Sequence, residues 1–370
     1  MPGRLLTSRT YREDVARVVG MDLPWDRLNN TTVVLSGASG MIGSFLVDVV
    51  MTRNLMHGLN CTVVGLARNL DTLTTRFQEY AGSANLCLLP VDLGAGDLDC
   101  VDEILACVSA CQGSDSSGPV DYVIHAASNT HPAAYATDPI GTITTNVAGT
   151  QAMLDLAVCG HAQRTLFLST VEIYGQNRGT EPFTETDLGY IDCNTLRAGY
   201  PESKRTGEAL CQAYVSAHGL DVVIPRLPRV YGPTMRPDDT KAVSQFLLDA
   251  VFDRDIVLKS TGDQLYSYCH VADAASAILI CLLRGEPGQA YNVADPSSDI
   301  RLKDLAQLAA GCVGRSVVIA APGKIEERGF SAATLAVMDG SKLARLGWKP
   351  LHTIFGGVER TVAVLKEIVV

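Results

Sequence analysis

Hydrophobic positions between Thr31 and Pro225 alternate between short apolar runs and longer segments with helical spacing. The short runs predict strands at Thr31–Ser36, Cys61–Ala67, Asn85–Pro90, Val120–Ala126, Thr165–Ser169 and Leu220–Pro225. The segments between them predict helices at Met41–Met51, Asp71–Tyr80, Leu98–Cys111, Ile140–Val158 and Gly199–His218. Because strands that alternate with helices pair in parallel through right-handed crossovers, this pattern predicts an α/β fold with a doubly wound parallel sheet. Its ligand is expected at the carboxyl ends of the strands.

The remainder of the chain divides into an extension and a second lobe. Residues 1–30 precede the first strand, with a short helix predicted at Tyr11–Val19, and no chemistry is assigned to them. Gly175–Leu196 is a long polar segment, typical of a lid or a wall of a substrate site. We predict three parts: an extension at 1–30, a sheet domain at 31–225, and a smaller C-terminal substrate-binding lobe at 226–370 whose elements interleave with the sheet.

Composition favours a globular protein of the cytoplasm. Of 370 residues 47% are hydrophobic and 19% are charged, and the net charge of −10 argues against nucleic acid as a partner. No apolar run reaches the roughly 18 residues that span a bilayer, and the charged N-terminus lacks a signal core. The 11 cysteines form no Cys-x-x-Cys pair, so we expect a reducing compartment and no metal site. Cys107 and Cys111 are expected to pack on one helix face.

A glycine-rich turn joins the first strand to the first long helix. The spacing Gly37-x-x-Gly40-x-x-Gly43 between a strand and a helix is typical of a cradle for a dinucleotide pyrophosphate. Glycines let the backbone turn tightly and approach the phosphates, and the helix N-terminus offers free N–H groups and a partial positive charge. The residues predicted to bind the cofactor here are Gly37, Ser39, Gly40, Met41, Ile42 and Gly43.

Residues after the second and third strands bear on which dinucleotide is bound. In NAD-binding turns an acidic residue holds the ribose hydroxyls, whereas an arginine suits the 2′-phosphate of NADP. Arg68 follows the second strand and no acid stands beside it, so the sequence predicts NAD or NADP with a preference for NADP. Asp92 and Leu93 follow the third strand and are placed to contact the adenine, although Asp92 could equally cap the next turn.

Tyr200 and Lys204 lie one helical turn apart, so on a helix both side chains reach one site. A free tyrosine titrates near 10, and an adjacent ammonium together with a positive nicotinamide ring favours the phenolate. Tyr200 is therefore the predicted general base, with Lys204 as its partner. Thr170, at the end of the fifth strand, can hydrogen-bond the same substrate hydroxyl.

The glycine turn and the Tyr200/Lys204 pair belong to a series of motifs that occur in order along the chain. They are Gly37-x-x-Gly40-x-x-Gly43, His125-Ala126-Ala127-Ser128, Asn146-Val147-Ala148-Gly149-Thr150, Ser169-Thr170-Val171-Glu172-Ile173-Tyr174-Gly175, Tyr200-x-x-x-Lys204, Arg226-x-x-x-Val230-Tyr231-Gly232-Pro233 and Tyr291-Asn292-Val293. With them the chain resembles the extended short-chain dehydrogenase/reductase family, in its nucleotide-sugar epimerase/dehydratase branch, over roughly Thr31 to Pro350.

The resemblance implies a Rossmann domain and a nucleotide-diphosphate sugar as the substrate. Tyr200 would remove a proton from a sugar hydroxyl, usually at C4, while hydride passes to the nicotinamide. Lys204 would bind the nicotinamide ribose, and Thr170 would position the hydroxyl. The resemblance also places Ala126, Ala127 and Ser128 at the cofactor and Ser128 at the substrate. It implies a homodimer formed through the helices at Ile140–Val158 and Gly199–His218.

The residues after Thr170 separate the subtypes of this branch. The 4,6-dehydratases have Thr-Asp-Glu there, but this chain has Val171, which cannot donate a proton, followed by Glu172. UDP-glucuronate decarboxylases resemble it in Glu172 and in an arginine three residues before the tyrosine, Arg197. The alternative for Glu172 is a carboxylate that caps the next turn. His125 and His270 are expected to be structural.

The substrate lobe departs from the family pattern. Tyr266 stands where the family usually has an arginine that grips the diphosphate or a sugar carboxylate, and Arg229 replaces the usual asparagine before Val230. Arg229 or Arg236 is predicted to take over the diphosphate. The first hypothesis is a nucleotide-sugar epimerase that oxidises C4 transiently. The alternatives are a UDP-glucuronate decarboxylase-like enzyme or an atypical dehydratase, and a non-catalytic NAD(P)-sensing module.

Overall fold

A computed structural model describes residues 2–94, 99–112, 120–130, 132–323, 331 and 333–369. Its strands are β1 Thr32–Ser36, β2 Thr62–Ala67, β3 Leu86–Pro90, β4 Tyr122–His125, β5 Arg164–Phe167, β6 Ser169–Thr170, β7 Val222–Leu227, β8 Arg229–Tyr231, β9 Ile256–Leu258, β10 Leu265–His270, β11 Ala290–Asn292, β12 Asp299–Arg301, β13 Val317–Ile319 and β14 Leu335–Ala336. Its α-helices, α1 to α12 in chain order, are Arg9–Val19, Met41–His57, Leu70–Arg76, Asp99–Gln112, Pro132–Thr137, Pro139–Cys159, Gly199–His218, Ala242–Val251, Val271–Arg284, Leu302–Gly311, Ser341–Arg345 and Ile354–Val369.

The large sheet has the order β3-β2-β1-β4-β5-β7-β11, with β6 beside β7, and all of these pairs are parallel. Helices α2 and α9 pack on one face, and α4, α6 and α7 pack on the other. Strands β1 and β7 are buried along their whole length, as expected for a parallel sheet covered on both faces. The doubly wound sheet predicted from the alternation is confirmed. The strand order reverses between β1 and β4, so a ligand crevice is expected at their carboxyl ends.

Three predicted elements differ in detail. The helix predicted at Met41–Met51 extends to His57. The strand predicted at Thr165–Ser169 is divided into β5, which pairs with β4, and β6, which pairs with β7. The helix predicted at Asp71–Tyr80 ends at Arg76, and a separate 3₁₀ turn follows at Gln78–Tyr80. Leu98, the predicted start of the fourth helix, lies outside the described residues.

The C-terminal part adds two smaller sheets, one of four strands and one of two. Strand β10 pairs with β8, β12 and β14, and β9 pairs with β13. The predicted boundary between residues 225 and 226 falls inside β7, and β11 returns to the large sheet. Strand β11, from the part of the chain assigned to the lobe, thus lies in the large sheet.

The N-terminal extension is packed into the core. Tyr11 on α1 donates a hydrogen bond from its phenol to Asp48 on α2, and Arg76 forms an ion pair with the same carboxylate. The phenol of Tyr80 donates to Asp48 Oδ1 at 3.1 Å. Asp48 and Arg76 are buried, and a buried charge is tolerated only when it is paired and hydrogen-bonded. This cluster fixes α1 against the helix that follows the glycine turn.

A second polar cluster joins the extension to the C-terminal helix. His352 contacts Asp14 Oδ1 at 3.0 Å through Nε2 and Asp273 Oδ2 at 3.2 Å through Nδ1. Arg360 Nε donates to the same oxygen of Asp14 at 2.7 Å. His270 Nδ1 accepts the backbone N–H of Ala272 at 3.3 Å and so caps α9. In its neutral form His270 then carries its proton on Nε2, so neither ring nitrogen offers a free lone pair to a metal ion.

A disulfide joins Cys87 in β3 to Cys111 in α4, with the two Cα atoms 6.7 Å apart. Cys107 and Cys111 are both half-buried on α4, as expected for a packed helix face, but the bond from Cys111 to Cys87 was not predicted. The two bonded cysteines are 24 residues apart, so the helical spacing could not reveal the pair. Among the described residues, no helix is both long enough and apolar enough to cross a membrane.

Candidate active site

The glycine-rich turn lies where β1 ends and α2 begins. Gly37 has a φ of +73°, and a Cβ there would lie 2.8 Å from the backbone of Ala126 and Ala127. A Cβ on Gly43 would lie 2.3 Å from the carbonyl oxygen of Gly37. Gly40 is less restricted, because its Cβ would meet that oxygen at 3.1 Å. Side chains are thus excluded at two of the three glycines, which leaves backbone facing the crevice.

The start of α2 has the properties of a phosphate site. Gly40 is its N-cap and supplies no side-chain hydrogen bond, so the first N–H groups of the helix are free for a ligand. Met41 and Ile42 line the main cavity, and Ser39 lies in the turn before them. A cradle without side chains at a helix N-terminus fits the pyrophosphate of a dinucleotide, so these residues could hold the predicted cofactor.

The segment after β4 closes the turn from the other side. Ser36 Oγ accepts the N–H groups of Ala126 and Ala127 at 3.2 Å each and lies 2.7 Å from His125 Nδ1. Burial, together with the charge of Lys204, lowers the pKa of His125 to about 3, so this histidine is neutral and structural. Ser128 lines the cavity and donates to Asn146 Oδ1 at 2.7 Å.

The residues predicted to contact the adenosine end lie after β2 and β3. Arg68 is exposed, and within the described residues it has no ion-pair partner. Asp92 Oδ1 accepts the N–H of Gly94 at 3.0 Å, so Asp92 does cap the next turn, which was its alternative role. Leu93 beside it is buried. Their contacts with a cofactor stay predictions.

Tyr200, Lys204 and Thr170 meet at the wall of the cavity. Tyr200 and Lys204 lie on α7, and the phenol of Tyr200 shares a side-chain hydrogen bond with Thr170 at the end of β6. Lys204 Nζ donates to the carbonyl oxygen of Leu168 at 2.9 Å. Burial lowers the pKa of Lys204 to about 8, although Cys211 and Glu208 act in the opposite direction. The three side chains predicted to carry the proton transfer are thus adjacent.

The pKa of Tyr200 is shifted in the direction opposite to the one expected from Lys204. Burial, followed by the charge of Glu172, raises the pKa of Tyr200 to about 12, while the hydrogen bond with Thr170 and the charge of Arg197 oppose the rise. The Lys204 ammonium is engaged by Leu168. Within the protein Tyr200 is therefore protonated at neutral pH, and ligand charges must supply the lowering that makes it a base.

Tyr135 is a site residue that the sequence reasoning missed. Its ring stacks on that of Tyr200 with 4.8 Å between centroids, and the two phenols share a hydrogen bond. The guanidinium carbon of Arg197 lies 4.6 Å from the centroid of the Tyr135 ring, and both side chains line the cavity. Tyr135 lies on the short helix α5, and its aromatic side chain after the fourth strand was the only signal in the sequence.

Glu172 is held between two guanidinium groups. Arg197 Nη2 lies 2.8 Å from Glu172 Oε2, and Arg229 Nη2 lies 3.4 Å from Oε1. The backbone N–H of Glu172 donates to Thr170 Oγ1 at 3.3 Å. Thr170 therefore caps the following 3₁₀ turn, and the alternative in which the Glu172 carboxylate does so is wrong. Val171 between them is buried and apolar.

The two arginines retain unused donors. Within the described part of the chain, Arg197 Nε and Nη1 and Arg229 Nη1 are buried without a hydrogen-bond partner. The guanidinium carbon of Arg229 lies 3.4 Å from the centroid of the Tyr266 ring, and Tyr266 donates to the carbonyl oxygen of Ala333 at 2.8 Å. A buried N–H group without a partner is costly, so these groups favour an anionic or carbonyl-rich ligand.

Arg236 lies elsewhere. Its side chain is 57% exposed and pairs with Asp238 through contacts of 2.9 and 2.8 Å. It does not line the cavity, so its predicted contact with the diphosphate stays a prediction.

The cavity itself has a volume of about 410 Å³ and extends from the start of α2 to the second lobe. The end next to α2 and α7 is bounded by Met41, Ser128, Thr170, Tyr200 and Lys204. The far end is bounded by residues of α8, of β9 and of the segment before β10, including Thr240, Phe246, Leu258, Lys259 and Gln264. Its size suits a ligand with several groups in line.

A doubly wound sheet with a glycine cradle at its switch point, and a Thr–Tyr–Lys set facing the same cavity, defines a nicotinamide-dependent enzyme of the extended short-chain dehydrogenase/reductase type. The family model "NAD dependent epimerase/dehydratase family" matches residues 33–294, and the chain belongs to this family. The expected enzyme class and the use of NAD(P) are thereby confirmed.

Similar proteins include enzymes of one activity in particular. The chain is 30% identical over 324 residues to UDP-glucuronic acid decarboxylase 3 of Arabidopsis thaliana, covering 87% of this chain and 85% of the relative. It is 28% identical over 342 residues to UDP-glucuronic acid decarboxylase 1 of Xenopus tropicalis, covering 90% of this chain and 72% of the relative. Both matches extend beyond the glycine turn and the catalytic helix to most of the chain.

Solved structures share the fold at lower identity. A dTDP-glucose 4,6-dehydratase of Streptomyces venezuelae superposes with a TM-score of 0.75 at 23% identity, covering 91% of this chain and 98% of that one. A UDP-glucuronic acid 4-epimerase of Bacillus cereus superposes with a TM-score of 0.74 at 20% identity, covering 91% of this chain and 100% of that one. These likenesses establish the architecture.

Proposed function

We propose that the protein decarboxylates a nucleotide-linked uronic acid of the UDP-glucuronate type. The observation that carries the proposal is the pair of guanidiniums at Glu172, with three buried guanidinium nitrogens that have no hydrogen-bond partner among the described residues. A second carboxylate, on C5 of the sugar, would satisfy these donors in charge and in geometry. The curated relatives named above are UDP-glucuronic acid decarboxylases, which supports the same choice.

The chain's own groups suit the reaction in order. Thr170 would orient the C4 hydroxyl and Tyr200 would accept its proton. The bound nicotinamide would take hydride from C4 and return it later. A ketone at C4 lies β to the carboxylate, so the C5–C6 bond can break with release of CO₂ and the electron pair enters an enolate. Arg197 and Arg229 would hold the carboxylate until then. Protonation at C5 gives a 4-ketopentose, and return of hydride to C4, with the proton from Tyr200 to the C4 oxygen, completes the pentose.

Tyr266 is compatible with this reading. An arginine was expected at this position for a decarboxylase, but the guanidinium of Arg229 lies over the Tyr266 ring. A positive charge is therefore present where the family pattern requires one, supplied from β8 instead of β10. The tyrosine at position 266, in place of the family's arginine, is therefore no longer an argument against a decarboxylase.

The epimerase, our first hypothesis from the sequence, becomes the second candidate. Thr170, Tyr200 and Lys204 would serve C4 oxidation in either enzyme, but a simple epimerase does not need Glu172 or the guanidiniums around it. A standard 4,6-dehydratase is disfavoured by Val171, which is buried and has no proton to donate, and an atypical dehydratase would need another proton donor for the departing hydroxyl. The non-catalytic sensor is set aside, because the chain belongs to a family of enzymes.

The deciding experiment is incubation of the purified protein with UDP-glucuronate and NAD, followed by NMR of the nucleotide products and measurement of CO₂. We expect UDP-pentose and one CO₂ per product. Recovery of UDP-galacturonate without CO₂ would instead establish the epimerase. UDP-glucose, which lacks the carboxylate, is the matched control and should bind more weakly.

Arg68 supports a preference for NADP, because within the described residues it has no ion-pair partner and so is available to a 2′-phosphate. We propose to measure binding of NAD and NADP to the wild type and to Arg68→Ala. Loss of NADP affinity alone is expected. Equal affinity of the wild type for both cofactors would contradict the preference.

A homodimer through α6 and α7 is also proposed. Ile140 and Ile143 on α6 are 76% and 41% exposed, and Leu196 before α7 is 58% exposed. Exposed apolar side chains near each other favour an interface. Sedimentation of the wild type and of Ile140→Glu tests the proposal, and a monomeric wild type would contradict it.

A further inference from the structure

One face of helix α7 holds the catalytic strand end at three points. Tyr200, Lys204 and Glu208 follow each other at intervals of one helical turn, so they point the same way. Tyr200 shares a hydrogen bond with Thr170, and Lys204 donates to the carbonyl oxygen of Leu168 at 2.9 Å. Glu208 Oε1 accepts the hydroxyl hydrogen of Ser169 at 2.5 Å. Three adjacent residues, Leu168, Ser169 and Thr170, are therefore each contacted by a side chain from one of three successive turns of α7.

Glu208 is itself fixed by a buried arginine. Arg226 on β7 donates to Glu208 through Nε at 3.0 Å and through Nη2 at 2.7 Å. Its remaining nitrogen donates to the phenol of Tyr174 at 2.8 Å and to the carbonyl oxygen of Glu185 at 2.9 Å. The side chains of Arg226 and Glu208 are 11% and 14% exposed. A bidentate pair of this kind has one geometry, so Ser169 receives a fixed acceptor.

We infer that Glu208 is a positioning residue of the active site: it fixes Ser169 and thereby sets Thr170 against Tyr200, and it places a carboxylate one helical turn from Lys204. Ser169 immediately precedes Thr170, so a displacement of its hydroxyl moves the Thr170 side chain. A shift of about 1 Å at a reacting group can cost about 100-fold in rate. Nothing in the proposed reaction requires Glu208 to touch the substrate, and its role is exerted through Ser169 and Lys204.

The charge of Glu208 acts on Lys204. The groups that face Lys204 are Glu208 and Cys211 on its own helix, His125 on β4, and the Phe167 ring on β5, 4.8 Å from Nζ. Glu208 and Cys211 raise the pKa of Lys204 against the effect of burial, and His125 is neutral. Removal of the Glu208 charge therefore makes Lys204 lose its proton at a lower pH.

The test uses the full-length protein with three substitutions. Glu208→Gln removes the charge and keeps an acceptor for Ser169, whereas Ser169→Ala removes the contact and keeps the charge. Glu202→Gln is the matched control on the same helix, since the Glu202 side chain is 40% exposed and forms a 3.6 Å ion pair with Arg205. Thermal unfolding first establishes that each variant is folded.

Two measurements separate the electrostatic role of Glu208 from its positioning role. The first is NAD affinity between pH 6 and 9, which reports on the charge of Lys204 without turnover. We expect the loss of affinity at alkaline pH to begin roughly one pH unit lower in Glu208→Gln than in wild type, and at the wild-type pH in Ser169→Ala. Turnover of UDP-glucuronate, which rests on the proposed function, should fall about 10- to 100-fold in kcat with little change in KM for both variants.

The outcomes are distinguishable. If wild type releases no CO₂, the proposed function fails, but the NAD titration still tests Glu208. A folded Glu208→Gln variant with the wild-type NAD profile overturns the electrostatic role, and a folded Ser169→Ala variant with wild-type kcat overturns the positioning role. If Glu208→Gln does not fold because Arg226 loses its partner, Ser169→Ala alone decides the positioning role.

Discussion

Arg229 lies over the ring of Tyr266, with 3.4 Å between the guanidinium carbon and the ring centroid, while its Nη2 lies 3.4 Å from Glu172 Oε1. The stacking orients the planar fork of the guanidinium and leaves Nη1 directed at no partner within the described residues. A lysine could replace the charge of Arg229, but neither its stacking nor its fork.

Replacement of Arg229 by Lys should therefore weaken binding of a carboxylated sugar. We expect KM for UDP-glucuronate to rise about 10-fold or more, because a charge-assisted hydrogen bond contributes about 1.5–3 kcal/mol. KM for UDP-glucose should change less. Steady-state kinetics on both nucleotides measures the difference. Arg254→Gln is the control, since Arg254 is 59% exposed and pairs with Asp249. An equal change for both sugars would show that Arg229 contacts the diphosphate instead.

Tyr200→Phe should abolish turnover and leave cofactor binding intact. The phenol is the group next to Thr170 that can take the substrate proton, and loss of a general base costs about 100- to 10,000-fold. Product NMR and NAD titration measure the two properties separately. Tyr135→Phe is the matched variant, because it removes the neighbouring phenol and keeps the stacked ring. Unchanged turnover in Tyr200→Phe would reject the assignment of the base.

Gly43→Ala should be far more damaging than Gly58→Ala. A Cβ on Gly43 would lie 2.3 Å from the Gly37 carbonyl oxygen, whereas Gly58, with a φ of +65°, has nothing within 4 Å. The alanine at position 58 costs about 1 kcal/mol through backbone strain alone. The alanine at position 43 must displace the turn, so both stability and NAD affinity should fall. Chemical denaturation and NAD titration measure this, and equal effects of the two substitutions would show that the turn is not close-packed.

The stability of the protein should fall as the pH is lowered below about 6.5. Burial lowers the pKa of both His125 and His270 to about 3. At pH values between about 3 and the ordinary histidine pKa of about 6.5, these two histidines are protonated in the unfolded chain but not in the native protein. Each histidine therefore removes about 1.4 kcal/mol per pH unit from the free energy of unfolding as the pH falls from about 6.5 to about 3.

The substitution that isolates this effect is His270→Asn. Asparagine retains an acceptor at the N-terminus of α9 but does not titrate, so the slope of stability against pH should become shallower. Denaturant unfolding at a series of pH values gives the slope. The exposed His57, replaced by Gln, is the control and should leave the slope unchanged. An unchanged slope in His270→Asn would mean that His270 is protonated in the native protein.

Much of the architecture is encoded locally and could be predicted from the sequence. The strands β1, β2 and β3 begin and end within a residue of the predicted positions, because each is an apolar run bounded by a turn. Helix α7 agrees at both ends. The division of the fifth strand was missed, since it depends on β6 leaving β4 and pairing with β7.

The active site was predictable only as far as its motifs reach. Thr170, Tyr200 and Lys204 carry family spacing, and the structure brings them together. The partners of Glu172 are 25 and 57 residues away, and no spacing rule connects them. Tyr135 was missed for the same reason. Contacts of this kind depend on how the crossover segments pack against one another. A local sequence pattern carries no information about that packing.

The ends of the chain have a consequence for protein engineering. The catalytic region matched by the family model begins at residue 33, yet α1 supplies Tyr11 to the buried carboxylate of Asp48 and Asp14 to Arg360 near the other terminus. A chimera that imports only residues 33–294 into another scaffold would carry the glycine turn and the catalytic tyrosine. It would lack α1, which packs against both α2 and the C-terminal helix. Exchange of catalytic cores between relatives should therefore move both termini together as one cassette.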